Sequence, residues 1–255
     1  MLFSPELEEV RRYVQLREET DYIMPLWLPC LPYILILAGM VGMVTGIILT
    51  PKATPILVFG AVGVFVALAI VGEVIDIYVV YKWVKRRNEH FKRRMLLTEA
   101  LLTFARSLSS RMGKDVNSIL NEIEREIREA RYEESEKNPV LWALLQIVPY
   151  VGAILLLYVY HFLNKDFVKH FRREVRILDQ FKRVFTELGA AYFPMFSRDY
   201  EFPDRSTVLY IVLTIITLGF FGVYWVYTLT KDPNEHFKEH SRVESTMLEV
   251  LEKIA

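Results

Sequence analysis

Long runs without charge alternate along the chain with segments dense in charge and helix-periodic in their apolar positions. Residues 25–49, 140–162 and 208–229 carry no Asp, Glu, Lys or Arg, and residues 56–81 carry only Glu73 and Asp76. A membrane-crossing helix needs about 20 predominantly apolar residues, at about 1.5 Å of rise each. All four runs meet that length, and none has the polar face that a surface helix of a soluble bundle requires. The Thr50–Thr54 stretch, with Pro51 and Pro55, reads as a tight turn that folds the first two runs into a hairpin. Tyr78, Tyr81 and Trp83 close the second run, Tyr158 and Tyr160 the third, and Tyr224, Trp225 and Tyr227 the fourth. Such rings favour the membrane–water boundary because an apolar body carries a polar tip.

The charged segments repeat. His90-Phe91, His170-Phe171 and His236-Phe237 follow the last three runs at matching distances from Tyr78, Tyr158 and Tyr224. Two copies read Asn-Glu-His-Phe in full, from Asn88 and from Asn234, while the middle copy has Val168-Lys169 before its His-Phe pair. Downstream, apolar residues coincide at Leu97/Ile177/Val243, Leu101/Phe181/Met247, Ala105/Phe185/Leu251 and Leu108/Leu188/Ile254. Steps of four, four and three mark one face of a helix. Each repeat therefore reads as an apolar run, an aromatic edge and an amphipathic helix lying at the interface. Asp232 as N-cap, Pro233 in the first turn and Glu235 closing a capping box make the motif read first as a helix start. A further row, Ile119, Ile123 and Ile127, seeks a partner helix in this chain or in another copy.

Charge bears on topology. Of the 255 residues, 53% are hydrophobic and 24% charged, with mean hydropathy +0.22 and net charge zero, so no basic field points to nucleic acid. Fourteen Lys and Arg lie in residues 82–137, seven of them between Lys82 and Arg94. This block reads as cytoplasmic, and with it both termini of a multi-pass protein of the cell membrane. Residues 164–205 carry nine Lys and Arg, which simple counting would place outside if the third run crosses once. The alternative makes the last two runs re-entrant hairpins, broken at Pro149/Gly152 and at Gly219/Gly222, with all three repeat helices on one face. Both readings stand at this stage.

The run Thr217-Leu218-Gly219-Phe220-Phe221-Gly222-Val223-Tyr224-Trp225 resembles a signature, Thr-Leu-Gly-x-x-x-x-Tyr-Trp, of a prokaryotic membrane-protein family catalogued only as a domain of unknown function. The resemblance covers residues 205–240. It implies a membrane module and brings no activity, cofactor or substrate.

Candidate chemistry is sparse. Glu73 and Asp76 share a helix face, and carboxylates at membrane depth mark ion or proton paths or sit paired near the interface. His236 and His240 have the i, i+4 spacing of a metal pair, with Glu239 or Glu244 as third donor, and a pseudo-symmetric cluster of His90, His170 and His236 is the other metal reading. Surface-helix histidines are the commoner explanation, so no metal site, cofactor or catalytic set is expected. No phosphate loop, nucleophile elbow or HExxH pattern occurs. The lone Cys30 allows no internal disulfide. Gly39, Gly42 and Gly46 are spaced for close helix packing, and with them a homo-oligomer is expected. Lys82, Lys85, Arg86, Arg87, Arg93 and Arg94 are placed to meet anionic head groups of the bilayer.

The expectation is an all-α, multi-pass integral membrane protein with about four apolar segments, each of the last three followed by an amphipathic helix. Its parts are an N-terminal helix (1–24), a membrane hairpin with the first repeat helix (25–110), a charged helix (111–138), a second membrane repeat (139–190), an aromatic linker (191–205) and a third repeat (206–255). The expected function is that of a non-enzymatic membrane-embedded scaffold or interaction protein. The alternative is an ion or proton channel or transporter using Glu73 and Asp76.

Overall fold

The computed structural model describes residues 4–49 and 54–255, and the expected turn at Thr50–Thr54 lies for the most part outside them. Every regular element among the described residues is helical: α1 (Pro5–Gln15), α2 (Arg17–Thr20), α3 (Leu31–Leu49) after a short 3-10 turn, α4 (Pro55–Met112), α5 (Asn117–Glu133), α6 (Pro139–Leu145), α7 (Gly152–Glu187), α8 (Thr207–Ile216) and α9 (Phe220–Ile254). The starts follow local rules. Ser4, Asn138 and Ser206 accept hydrogen bonds from the first-turn N–H groups of α1, α6 and α8, and prolines open α1, α4 and α6. Gly113, at φ +62°, ends α4 in the left-handed conformation that glycine adopts without Cβ strain.

Two helices are long and apolar enough to cross a membrane, Leu28–Ile48 and the first part of Pro55–Met112. The other two apolar runs are not single helices. Residues 140–162 break between α6 and α7, where Tyr150 has φ +64° and a Cβ on Gly152 would lie 2.0 Å from the Gln146 carbonyl oxygen. Residues 208–229 break at Leu218 (φ +50°) and Gly219 (φ +94°), between α8 and α9. With 7 and 10 residues, α6 and α8 rise about 10 and 15 Å, half a hydrocarbon core or less. The four segments expected from the sequence are thus two long helices and two short helical hairpins.

α4, α7 and α9 run straight through the aromatic edge. His90, His170 and His236 lie inside these helices, so the motif is not a helix start, and Asp232-Pro233 is interior to α9. Pro233 cannot donate to the Leu229 carbonyl, but the Arg86 guanidinium does so at 3.1 Å, which satisfies the acceptor that the proline orphans. The charged halves of the three helices pack on one another. Leu97, Ile177, Val243, Leu101, Phe181, Met247, Phe185 and Leu251 share one core with α1 (Leu7, Val10, Val14) and with the isoleucine row of α5. The apolar stripes therefore face each other and not a bilayer surface, which corrects the interfacial reading. A second cluster, including Trp83, Tyr160 and Trp225, lies at the junction with the apolar hairpins, and a phenylalanine layer lies between.

Candidate functional site

At the level of that phenylalanine layer the three helices place their repeated histidines on a common axis. His90 comes from α4, His170 and Glu174 from α7, and His236 and His240 from α9. One donor atom from each of the five lies within 4.8 Å of every other. Exposure is 0% for His90, His236 and His240, 3% for His170 and 5% for Glu174. Phe91, Phe171 and Phe237 pack in the layer around them, with Phe91 stacked on His170 at 4.1 Å between ring centres. The pseudo-threefold cluster of His90, His170 and His236 read from the sequence is therefore formed, and His240 joins it.

Each histidine Nδ1 looks outward. His90 Nδ1 lies 3.0 Å from Asp21, His170 Nδ1 3.0 Å from Glu134, His236 Nδ1 3.2 Å from the Tyr200 hydroxyl, and His240 Nδ1 3.7 Å from Glu244. Asp21, Glu134 and Tyr200 sit in the three segments that lead into the three apolar hairpins. In the first two repeats the arginine one turn on, Arg93 or Arg173, grips the same acid as the histidine. In the third the equivalent residue is Glu239, which accepts from the Ser197 N–H at 2.6 Å.

Asparagines complete a ring of clasps one hairpin out of step. Asn234 holds Met24 by both its N–H (3.2 Å) and its carbonyl (2.8 Å). Asn88 holds Lys137 the same way, at 3.2 and 2.6 Å. The middle repeat has Val168 at this position, and Asn164, one turn earlier, donates to the Arg205 carbonyl at 2.7 Å. Repeat three thus secures the approach to hairpin one, repeat one that to hairpin two, and repeat two that to hairpin three.

Residues four beyond the motif histidines break the symmetry: Arg94, Glu174 and His240. Glu174 accepts from Arg94 Nε at 2.6 Å and faces His240 Nε2 at 2.8 Å, while Glu244 binds both Arg93 and Arg94 at 2.9 Å. Burial pushes His90 down to about 4, against the pull of Asp21. Burial lowers His170 too, but the charges of Glu174 and Glu134 outweigh it and carry it up to about 9. Burial and the neighbouring His240 hold His236 well below its ordinary value. The axis therefore sets the lowered imidazoles of His90 and His236 beside His170, which its two acids raise.

Arg86, Arg87, Arg93 and Arg94, expected to meet lipid head groups, are 0–5% exposed and bonded within the protein. Arg87 pairs with Asp166 at 2.9 Å, and Arg86 donates to Asn234 Oδ1 at 2.8 Å. Burial pushes Arg86 down to about 9, so it stays charged at neutral pH. Only Lys82 and Lys85 of the six keep substantial exposure, Lys82 lying over the rings of Tyr22 and Tyr78. Of the two candidate intramembrane carboxylates, Glu73 is exposed and Asp76 is buried with one unpartnered oxygen. Gly39 packs on Phe65 and Gly222 on Tyr33, whereas a Cβ on Gly42 would meet nothing within 4 Å among the described residues.

Sequence reasoning missed Glu174 as a donor, the acids Asp21 and Glu134, and Glu244 beneath Arg93 and Arg94. One signal was available, since polar residues stand four beyond each motif histidine, on the same helix face and just before the apolar stripe begins.

Fold and site together define a class: an all-helical, pseudo-threefold bundle with a buried polar axis and apolar hairpins at one end. Within it, residues 205–254, which comprise α8 and α9, are similar to the family described as Domain of unknown function (DUF4234). No match to a curated protein or to a solved structure was found.

Proposed function

We propose that this chain is a non-enzymatic membrane module in which apolar hairpins anchor a helical platform that stands on one face of the bilayer. The observation that carries this reading is the shared core. Leu101, Phe181 and Met247 pack together, so the repeat helices occupy one side, and the short hairpins at 140–162 and 208–229 enter and return. The non-enzymatic part rests on the enclosure of the buried polar axis. The cavity beside His170 and Glu174 measures about 20 Å³ and that beside Arg86 about 10 Å³, room for about one water and no substrate. The bilayer is the partner, with Lys82 and Lys85 as the basic residues of the original six that reach anionic head groups. A homo-oligomer would use the open Gly42 face of α3. The basic run that begins at Lys82 and Lys85 supports a cytoplasmic placement of the platform at the cell membrane.

Cysteine labelling tests this. Cys30→Ala is combined with a single cysteine at Thr103, Asp179 or Lys238, exposed sites on α4, α7 and α9. A membrane-impermeant thiol reagent applied to intact cells should leave all three unlabelled until the cells are opened. Labelling of the Asp179 site alone from outside would overturn the proposal.

One observation favours the channel reading: Asp76, 8% exposed, has an unpartnered carboxylate oxygen on the hairpin helix α4. That reading requires Asp76→Asn, alone or with Glu73→Gln, to abolish an ion or proton flux in liposomes.

A further inference from the structure

We propose that the axial histidines form a binding site for one divalent first-row transition-metal ion, held by His90, His170, Glu174, His236 and His240. The inference goes beyond membrane anchoring and does not depend on it.

The first argument is direction. His90 and His170 each place Nδ1 at 3.0 Å from a carboxylate, which can only accept, so Nδ1 carries the proton toward Asp21 and Glu134. Their Nε2 atoms are left to the axis, where that of His90 is buried with no hydrogen-bond partner and that of His170 lies 3.2 Å from Glu174. His236 repeats the pattern with Tyr200 outside and Nε2 inside, 3.1 Å from His240 Nε2. Metal-binding histidines characteristically donate their other ring N–H to a carboxylate, a carbonyl or a water, which fixes the tautomer and orients the ring. Here that outer partner exists before any ion is considered.

The second argument is distance. Metal–nitrogen bonds of about 2.0–2.1 Å at angles between octahedral and tetrahedral set neighbouring donors about 2.9–3.4 Å apart. The observed separations are 2.8 Å for His240 Nε2 to Glu174, 3.1 Å for His236 Nε2 to His240 Nε2, 3.2 Å for His170 Nε2 to Glu174 and 3.5 Å for His236 Nε2 to Glu174. Two imidazole nitrogens facing each other at 3.1 Å repel unless a proton or a cation lies between them. Buried polar atoms are otherwise almost always satisfied, and an unpartnered Nε2 at 0% exposure calls for a ligand.

The donor set names the class of ion. Four imidazoles and one carboxylate do not suit calcium or magnesium, which take oxygen shells, whereas imidazole suits zinc, iron, nickel and copper. With every donor buried and no room for a substrate, the ion is structural and ties α4, α7 and α9 together. The small cavity lined by His170 and Glu174, beneath Ile127 and Ala130 of α5, gives the ion its way in.

The test uses the full chain in mild detergent, stripped with a chelator and titrated with cobalt(II) and separately with zinc(II). The expected result is one ion per chain, with visible cobalt bands of a nitrogen-rich site. His240→Gln should weaken binding at least tenfold. Asp21→Asn, which alters the outer partner that His90 shares with Arg93, should keep one ion and weaken it about 10–100-fold. X-ray absorption on the unmutated protein should count four nitrogen donors, a readout that holds even where a variant fails to fold. Stripped protein with unchanged helical circular dichroism but no cobalt bands, or an oxygen-only shell, would overturn the proposal and leave the axis as a proton-sharing network.

Discussion

Asn234→Ala removes the clasp between α9 and the segment leading into the first hairpin. Three groups lose their partner at once: the Met24 N–H, the Met24 carbonyl and one Arg86 N–H. Water cannot readily replace them, because Met24 is 1% exposed and Arg86 2%. An unsatisfied buried polar group costs about 1–3 kcal/mol, and a charged donor more. Two neutral groups and one charged one thus cost about 3–5 kcal/mol after partial relaxation. Asn88→Ala frees the equivalent groups of Lys137, but Asn88 is half-buried and water reaches them, so about 1 kcal/mol is expected. In a protein of this size about 1 kcal/mol moves the thermal midpoint by about 2–4 °C. Melting followed by helical circular dichroism at fixed detergent should show a fall of about 6–20 °C for Asn234→Ala, and a much smaller one for Asn88→Ala. Hydrogen exchange should quicken in residues 21–30. A shift under about 2 °C for Asn234→Ala, or a larger one for Asn88→Ala, would refute the assignment of the clasps.

Arg86 and Pro233 should be energetically coupled, because Arg86 serves the carbonyl that Pro233 leaves without a donor. A double-mutant cycle with Arg86→Met and Pro233→Ala should return about 0.5–3 kcal/mol of coupling, and additivity would remove the link. Gly152→Ala should cost about 1–3 kcal/mol or rearrange the second hairpin, since the new Cβ would meet backbone 2.0 Å away. Its control, Gly60→Ala, has open space and should cost nothing in the same melt.

Much of this architecture could be read before any coordinates, and the failures have physical causes. The helical class and the breaks near Pro149/Gly152 and Gly219/Gly222 follow from local rules and appear as expected. The placement of the amphipathic stripes does not, because an apolar face looks the same whether it meets lipid or two sister helices. Only the third dimension shows Leu101, Phe181 and Met247 in one core. The arginines misled for a similar reason. A basic run beside a membrane segment reads as topology and head-group binding, yet Arg87, Arg93 and Arg94 pair with Asp166, Glu174 and Glu244, residues 79–151 positions away. Asp232-Pro233 misled because a proline this early in a charged segment normally starts a helix. Here a guanidinium from another repeat makes an interior proline tolerable.

The departures from threefold symmetry say most about the axis. Apolar positions are kept apolar in all three copies, as a core requires, but the residues four beyond the histidines are a cation, an anion and an imidazole. A buried ionic set is an expensive way to hold helices together, since well-packed apolar residues of similar volume are often neutral or stabilising in its place. The aromatic layer immediately adjoining shows that this chain has apolar filling available at the same level. What the polar set supplies and an apolar one lacks is directed lone pairs. His90, His170 and His236 deliver them from three helices to one point, each braced by a segment that leads into a different hairpin. A ligand at that point would touch all three repeats at once. Its binding energy would then stabilise the platform and the approaches to the membrane hairpins together, because neither can loosen without moving a histidine's outer partner.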